Sequence, residues 1–372
     1  MFINTSDTDK LIQSILNMDL EDDQILFIML GEKSSIDIQR LIKALNESQK
    51  DFMGGIFPGI IYDEQKYEEG AIITRLPSLE RPLVITGLDT GNIQLPDLKK
   101  IIAKFDQKYA AMILVDGFSR NISGFLSLLF NNLAGSVNYF GGGAGSLSFK
   151  QQPCIFTSEG LFQDAAIISF VKLKCRLGVR HGWKRIIGPV VATKTDKNII
   201  IELNWKKAFD VYKEIVERDS GKKITKDNFF NISKGYPFGM LKEYAETVAR
   251  TPVAVNDAGA LICIGEVPEN SVLDILKGEV ASLVNAAGQA ADDCKIYEGK
   301  KVTHGFVVDC ISRVLFLEDN FSLELQAVKT KFQSIEPRLV PIGMLSLGEI
   351  SSCGNGFLDF LNKTIVAGIL YE

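Results

Sequence analysis

A chain of 372 residues is longer than one hydrophobic core usually serves, and a net charge of −5 with a pI near 5.4 argues against nucleic acid as its main partner. Apolar residues make up 46% and charged residues 23%, which lets an ordinary globular protein fold without disulfide or metal staples. No apolar run reaches bilayer-spanning length, so no membrane insertion is expected. The N-terminus lacks the basic and apolar regions of a signal peptide. The cysteines (Cys154, Cys175, Cys263, Cys294, Cys310 and Cys353) show no CxxC or zinc spacing and read as buried thiols, so a reducing, cytoplasmic setting is expected.

In chain order, residues 9–18 have the spacing of a short amphipathic helix. Residues 24–30 (QILFIML) are a continuous apolar run, a strand buried on both faces. A helix is expected over 35–47, then a glycine-marked strand at 54–62 with an antiparallel partner at 70–75. The same order returns at 110–115 (AAMILV), a helix to about 132, and the glycine-marked strand 137–145. It returns again at 305–309 (GFVVD), a helix over 323–332, the glycine-marked 341–350 and a last strand at 363–371. This is a threefold internal repeat of strand, helix, glycine-marked strand and edge strand. Between the second and third copies lie a strand at 199–203, a helix over 206–216, a loop-like stretch at 229–240, strands at 260–265 and 271–277, and an alanine-rich helical region within 276–290.

The stretch 172–185 holds six basic residues and no acidic one. Lys172, Lys174 and Arg176 alternate with Leu173, Cys175 and Leu177, the period of a strand with one wet face. It reads as the closing strand of the second repeat and its exit turn, which carries His181 and Trp183.

Ser119-Arg120 and Ser312-Arg313 occupy the same loop in two repeats, just after the buried strand, where open α/β sheets bind ligands. Helix starts favour an anion and a guanidinium can hold a carboxylate. The competing reading is an ion pair with Asp116, Asp309 or Glu349. Glu349 fits either a ligand amine or an internal arginine. Gly142 and Gly143, in a run that fails GxGxxG, fit close strand packing or ligand contact. Cys310 fits a buried thiol or a nucleophile that lacks a nearby base. No GxSxG is present and only two histidines are available as general bases, so an enzyme is not expected; one of unrecognised mechanism using Cys310 is the remaining alternative.

Tyr139–Gly145, residues 178–189, Val191-Ala192-Thr193-Lys194 and Lys207–Tyr212, followed by Asp309–Arg313, Gly343–Ile350 and Phe360–Thr364, together resemble the FIST family of paired N- and C-terminal sensory domains. The resemblance implies a sensor in signal transduction. Its ligand would be a small molecule such as an amino acid or organic acid, bound in a cleft between repeats or domains, with a partner reading the change in trans. One branch of the family binds haem, senses nitric oxide and controls a histidine kinase. For that branch His181 is the candidate iron ligand, with Trp183 able to stack on the porphyrin; the competing reading of His181 is an exposed turn residue among solvated cations. The turn Ile56-Phe57-Pro58-Gly59-Ile60 departs from the family pattern. The expected fold is α/β, with repeated β-α-β-β units forming two mixed-sheet domains with packed helices. The expected domains are residues 1–204 with two repeats and 205–372 with the third. The candidate ligand residues are Arg120, Arg313, Ser119, Ser312, Glu349, Gly142, Gly143 and Trp183.

Overall fold

A computed structural model describes residues 1–148, 150–241, 247–297, 299–352 and 358–372. Cys353 lies outside the described residues; the other cysteines are buried. The three apolar runs each become a lead strand: Gln24–Gly31, Tyr109–Asp116 and Val302–Cys310. Each is followed by helix and then by a parallel glycine strand: Phe52–Phe57, Val137–Ala144 and Pro341–Ser346. A return strand (Ala71–Pro77, Ala166–Val171 or Ile365–Tyr371) then pairs antiparallel with the other side of its own lead strand. The fold is α/β with mixed sheets, as the sequence pattern predicts.

Between glycine strand and return strand every repeat carries a hairpin, and that hairpin joins a different repeat's sheet. The first repeat's Gly59–Tyr62 pairs with Pro341–Ser346 of the third. The second's Ile155–Thr157 pairs with Phe52–Phe57 of the first. The third's Glu349–Ser352 pairs with Val137–Ala144 of the second. The result is three 6-stranded sheets locked in a cyclic exchange. Two sequence expectations are corrected here. Residues 54–62 are not one strand: Pro58 has no N–H to continue a ladder, and the chain crosses to another sheet there. Likewise 341–350 breaks at Gly348, whose φ of +157° is unavailable to most side chains.

The three sheets turn one face toward a shared core. Alternate residues of the lead strands (Phe27 and Met29, Met112 and Leu114, Phe306 and Val308) meet there. The intervening residues pack outward under helices. Leu26 and Ile28 lie under Thr8–Leu16 and Ile38–Glu47, Ile113 and Val115 under Ile122–Leu133, and Val307 under Val280–Asp292 and Phe321–Ile335. Both faces are covered, which is why these strands read as unbroken apolar runs.

The glycine strands need glycine because their backbone lies against the lead strand. A Cβ at Gly343 would sit 1.8 Å from the Val307 carbonyl oxygen, and one at Gly141 equally close to that of Ile113. Since the neighbour is backbone in mid-sheet, Gly343→Ala should cost about 4 kcal/mol or more. Gly124→Ala, on an exposed helix position with open space, should be neutral or stabilise by about 1 kcal/mol. Urea denaturation of both variants checks the contrast.

The segment between the second and third repeats forms an antiparallel barrel. Lys184–Asp196, Val272–Lys277, Phe238–Met240, Val248–Val255, Leu261–Ile264 and Ile199–Leu203 pair in that order, and the last returns to the first. Ala208–Ser220 and Phe229–Ser233 are helices here, so 229–240 is not a loop: Tyr212, Phe229 and Phe238 stack in the barrel's own core. A cut at residue 204 falls between Ile199–Leu203 and Lys206–Lys207, which pair with each other. Strands from both sides of that position share three of the sheets.

The basic stretch gives the edge strand Lys174–Arg180, which pairs along its length with the third repeat's return strand, not with the second repeat. Its alternation holds: Leu173 and Cys175 are buried while Lys172 and Arg176 are exposed. The cations lie beside acids, Lys184 on Glu279 at 2.6 Å, Arg185 on Asp274 at 3.0 Å and Arg180 on Asp293 at 2.6 Å. No helix among the described residues is long and apolar enough to cross a membrane.

Candidate functional site

A pocket of about 850 Å³ lies where the barrel meets the three-sheet body. That volume suits a small organic ligand. The body contributes the loop Gly117–Arg120 after one lead strand and, at the carboxyl end of another, Cys310 with the first helical residues Ile311 and Ser312, where the sequence pattern predicts a loop. It also contributes Leu147, Leu315, Leu347, Asn362 and Lys363. The barrel contributes Lys197, Asn198, Phe230, Lys234, Thr251, Val253 and the run Cys263–Glu266. The equivalent loop of the first repeat is absent from the lining; there the Glu32 carboxylate accepts the Leu147 backbone N–H at 2.8 Å. The divergent turn 56–60 is also not in the lining.

Asp116 shapes the first loop. Its buried carboxylate accepts the N–H groups of Phe118 and Asp164 at 3.1 and 2.9 Å and the Gln151 amide at 2.6 Å. It is therefore satisfied without Arg120. Arg120 is exposed at the pocket and forms no ion pair or side-chain hydrogen bond among the described residues. Next to it, Ser119 is nine-tenths buried, and its hydroxyl has no hydrogen-bond partner there either. The amide Nδ2 of Asn362, a residue only 3% exposed, is in the same position. Native proteins rarely leave such groups unsatisfied, so two in the lining of one pocket favour a ligand that accepts hydrogen bonds.

The second arginine has a different fate. Arg313 is fully buried and does not line the pocket. Its guanidinium makes a bidentate pair with Glu324, at 2.9 and 2.8 Å, and donates to the carbonyls of Lys363, Leu283 and His181. Of the two readings of Arg313, ion pairing is the one its geometry supports. Ser312 does line the pocket, with its hydroxyl 3.0 Å from the Cys310 thiol. Burial and the nearby Glu349 push that thiol up to about 12, so it is not a thiolate at neutral pH. Glu349 sits behind the wall, bonded to the Ser346 hydroxyl and, at 3.2 Å, to the Thr364 N–H; burial raises its carboxyl to about 8. Gly142 and Gly143 pack against Ser346, Val308 and Gly117 rather than lining the pocket.

His181 and Trp183 are outside the lining as well. Trp183 is buried, donates its indole N–H to the Lys363 carbonyl at 3.0 Å and packs on Phe316. The Nδ1 of His181 accepts the Trp183 backbone N–H at 2.9 Å, and its Nε2 lies 3.0 Å from the Thr247 hydroxyl. Burial, with Arg313 and Arg180 nearby, lowers its pKa to about 4. A haem iron needs an imidazole lone pair turned toward open space. With both ring nitrogens engaged inside the fold, these residues do not fit haem.

Sequence reasoning passed over Asn362 and Lys363 as site residues, although both stand in the Phe360–Thr364 motif. Lys363 is fully buried in a left-handed turn with φ of +57°. Its ammonium nitrogen donates to the Lys234 carbonyl at 2.8 Å and lies 4.4 Å above the Trp183 ring. Burial, reinforced by Arg313 and Lys234, lowers its pKa to about 7.

Two family profiles together span most of the body and the barrel. The FIST N domain profile matches residues 24–206 and the FIST C domain profile residues 208–352. The chain belongs to the FIST family. FIST domains are sensory, ligand-binding domains of signal transduction. The two FIST matches meet inside the barrel, so both FIST halves supply walls of the pocket. No curated protein matches the chain.

Proposed function

We propose that the pocket is the ligand site of a sensor for a small organic acid or amino acid. On this reading, occupancy shifts the barrel against the three-sheet body, and a separate signalling protein, such as a histidine kinase, reads the shift. The observation that carries the reading is the pair of buried polar groups, Ser119 Oγ and Asn362 Nδ2, unpartnered among the described residues and lying on the body's side of a pocket that the barrel closes. A ligand touching both bodies has different contacts in open and closed arrangements, which is the requirement for shifting an equilibrium.

Thermal-shift screening against organic acids and amino acids tests it. A ligand at a hundredfold excess over its Kd should stabilise by about 2.7 kcal/mol and raise the midpoint by a few degrees. Val253→Trp, which fills the pocket from the barrel side, should abolish that rise. No stabilisation by any compound of either class, or a rise that survives Val253→Trp, would sink the reading.

A further inference from the structure

We propose that the ligand is a monocarboxylic acid with an apolar body and no ammonium group, its carboxylate held by Arg120 and Lys197. This rests on the ligand-site reading above and adds the charge of the ligand. Four features support it. First, Asn362 Nδ2 can only donate, so it asks for an acceptor, and the Ser119 hydroxyl in the same lining can donate as well. Second, the cations of the lining are not equivalent. Lys234 is paired with Glu318 at 2.8 Å, and the Lys363 amine is turned to the Lys234 carbonyl. Arg120 and Lys197 form no ion pair among the described residues, so their charge is available to an anion.

Third, the lining offers little to an ammonium group. Its one carboxylate among the described residues is Glu266, exposed at the rim. The buried Arg250 donates to the Glu266 backbone oxygen at 2.9 Å, which keeps a positive charge beside that acid. Glu349 and Asp309 are buried outside the lining. An amino acid seated with its carboxylate at Arg120 would hold its ammonium in a field of the same sign. Fourth, most of the remaining lining is apolar, with Phe118, Leu147, Phe230, Ile264 and Leu315 beside the polar Asn198, Thr251 and Ser312. In about 850 Å³ they accept a medium-length alkyl chain or an aromatic ring.

Isothermal titration of the full-length protein with octanoate, 2-aminooctanoate and 1-octanol tests the proposal, because the three share one apolar body. Octanoate should bind at least about tenfold more tightly than either of the others. Arg120→Gln, at an exposed position, should weaken octanoate about tenfold and leave 1-octanol unchanged. Equal binding of 2-aminooctanoate or of 1-octanol overturns the proposal, as does octanoate binding undiminished in Arg120→Gln,Lys197→Gln. The Val253→Trp protein separates this failure from failure of the site itself. An amino acid that binds the parent but not Val253→Trp overturns the carboxylic-acid proposal and leaves the pocket as the ligand site. Probes that bind both proteins alike overturn both, whereas three probes that bind neither overturn the carboxylic-acid proposal alone.

Discussion

Arg313→Ala is expected to destabilise the protein by about 3–5 kcal/mol, although the residue touches no ligand pocket. The side chain is fully buried and closes a polar knot between distant pieces of chain. Glu324 comes from the next helix, the Leu283 carbonyl from Val280–Asp292, and the His181 and Lys363 carbonyls from two turns. Asp309, whose carboxyl is pushed up by burial and by Glu324, lies 3.4 Å from the guanidinium. Removing the arginine strands the Glu324 charge and leaves those carbonyls without their donor. Urea denaturation should show the loss, and the paired replacement Arg313→Met with Glu324→Leu should recover much of it, since the Glu324 carboxylate is then no longer stranded. Arg120→Ala, the equivalent residue of the second repeat, should change stability by no more than about 0.5 kcal/mol because it is exposed and unpaired among the described residues. Equal costs for the two alanine variants would refute this division of labour.

That division was half legible in the sequence. The repeat places Ser119-Arg120 and Ser312-Arg313 at equivalent positions after the lead strands, and both serines do line the pocket, although Ser312-Arg313 already belong to a helix. What separates the arginines is the partner each one meets. Glu324 lies eleven residues beyond Arg313 on the following helix, and the His181 carbonyl lies 132 residues away. No local pattern announces either contact. The lead strands were legible because burial on both faces removes polar residues from the run. The hairpin exchange was not, since strand partners are chosen by tertiary packing; Pro58 and Gly348 nevertheless mark the breaks where the chain changes sheet. Asn362 and Lys363 stood in a recognised motif, but the wall they belong to exists only once the barrel packs on the body.

The second large effect concerns Lys363, whose burial works against the fold. Lys363→Met should stabilise the protein at pH 7 and leave it nearly unchanged near pH 10.5. The amine titrates at about 7 in the native state against an ordinary 10.5, first because it is buried and then because Arg313 and Lys234 face it. A lysine with a lowered native pKa binds its proton more readily when unfolded. Its contribution to stability is therefore undiminished above pH 10.5, falls as the pH drops toward 7, and stays low below that. The full penalty is on the order of several kcal/mol. Methionine keeps the four-atom stem over Trp183 and needs no proton, at the loss of one hydrogen bond to the Lys234 carbonyl worth about 1 kcal/mol. Glu349, raised to about 8, titrates in part of the same range with the opposite slope, but it is present in both proteins and falls out of their difference to first order. Denaturant unfolding of parent and variant at pH 7 and pH 10 gives that difference directly. A variant less stable than the parent at pH 7 would mean that the ammonium is held charged over the Trp183 ring. A gain at pH 7 that vanishes by pH 10 would mean that the fold keeps, in the lining of its pocket, an amine whose protonation costs stability.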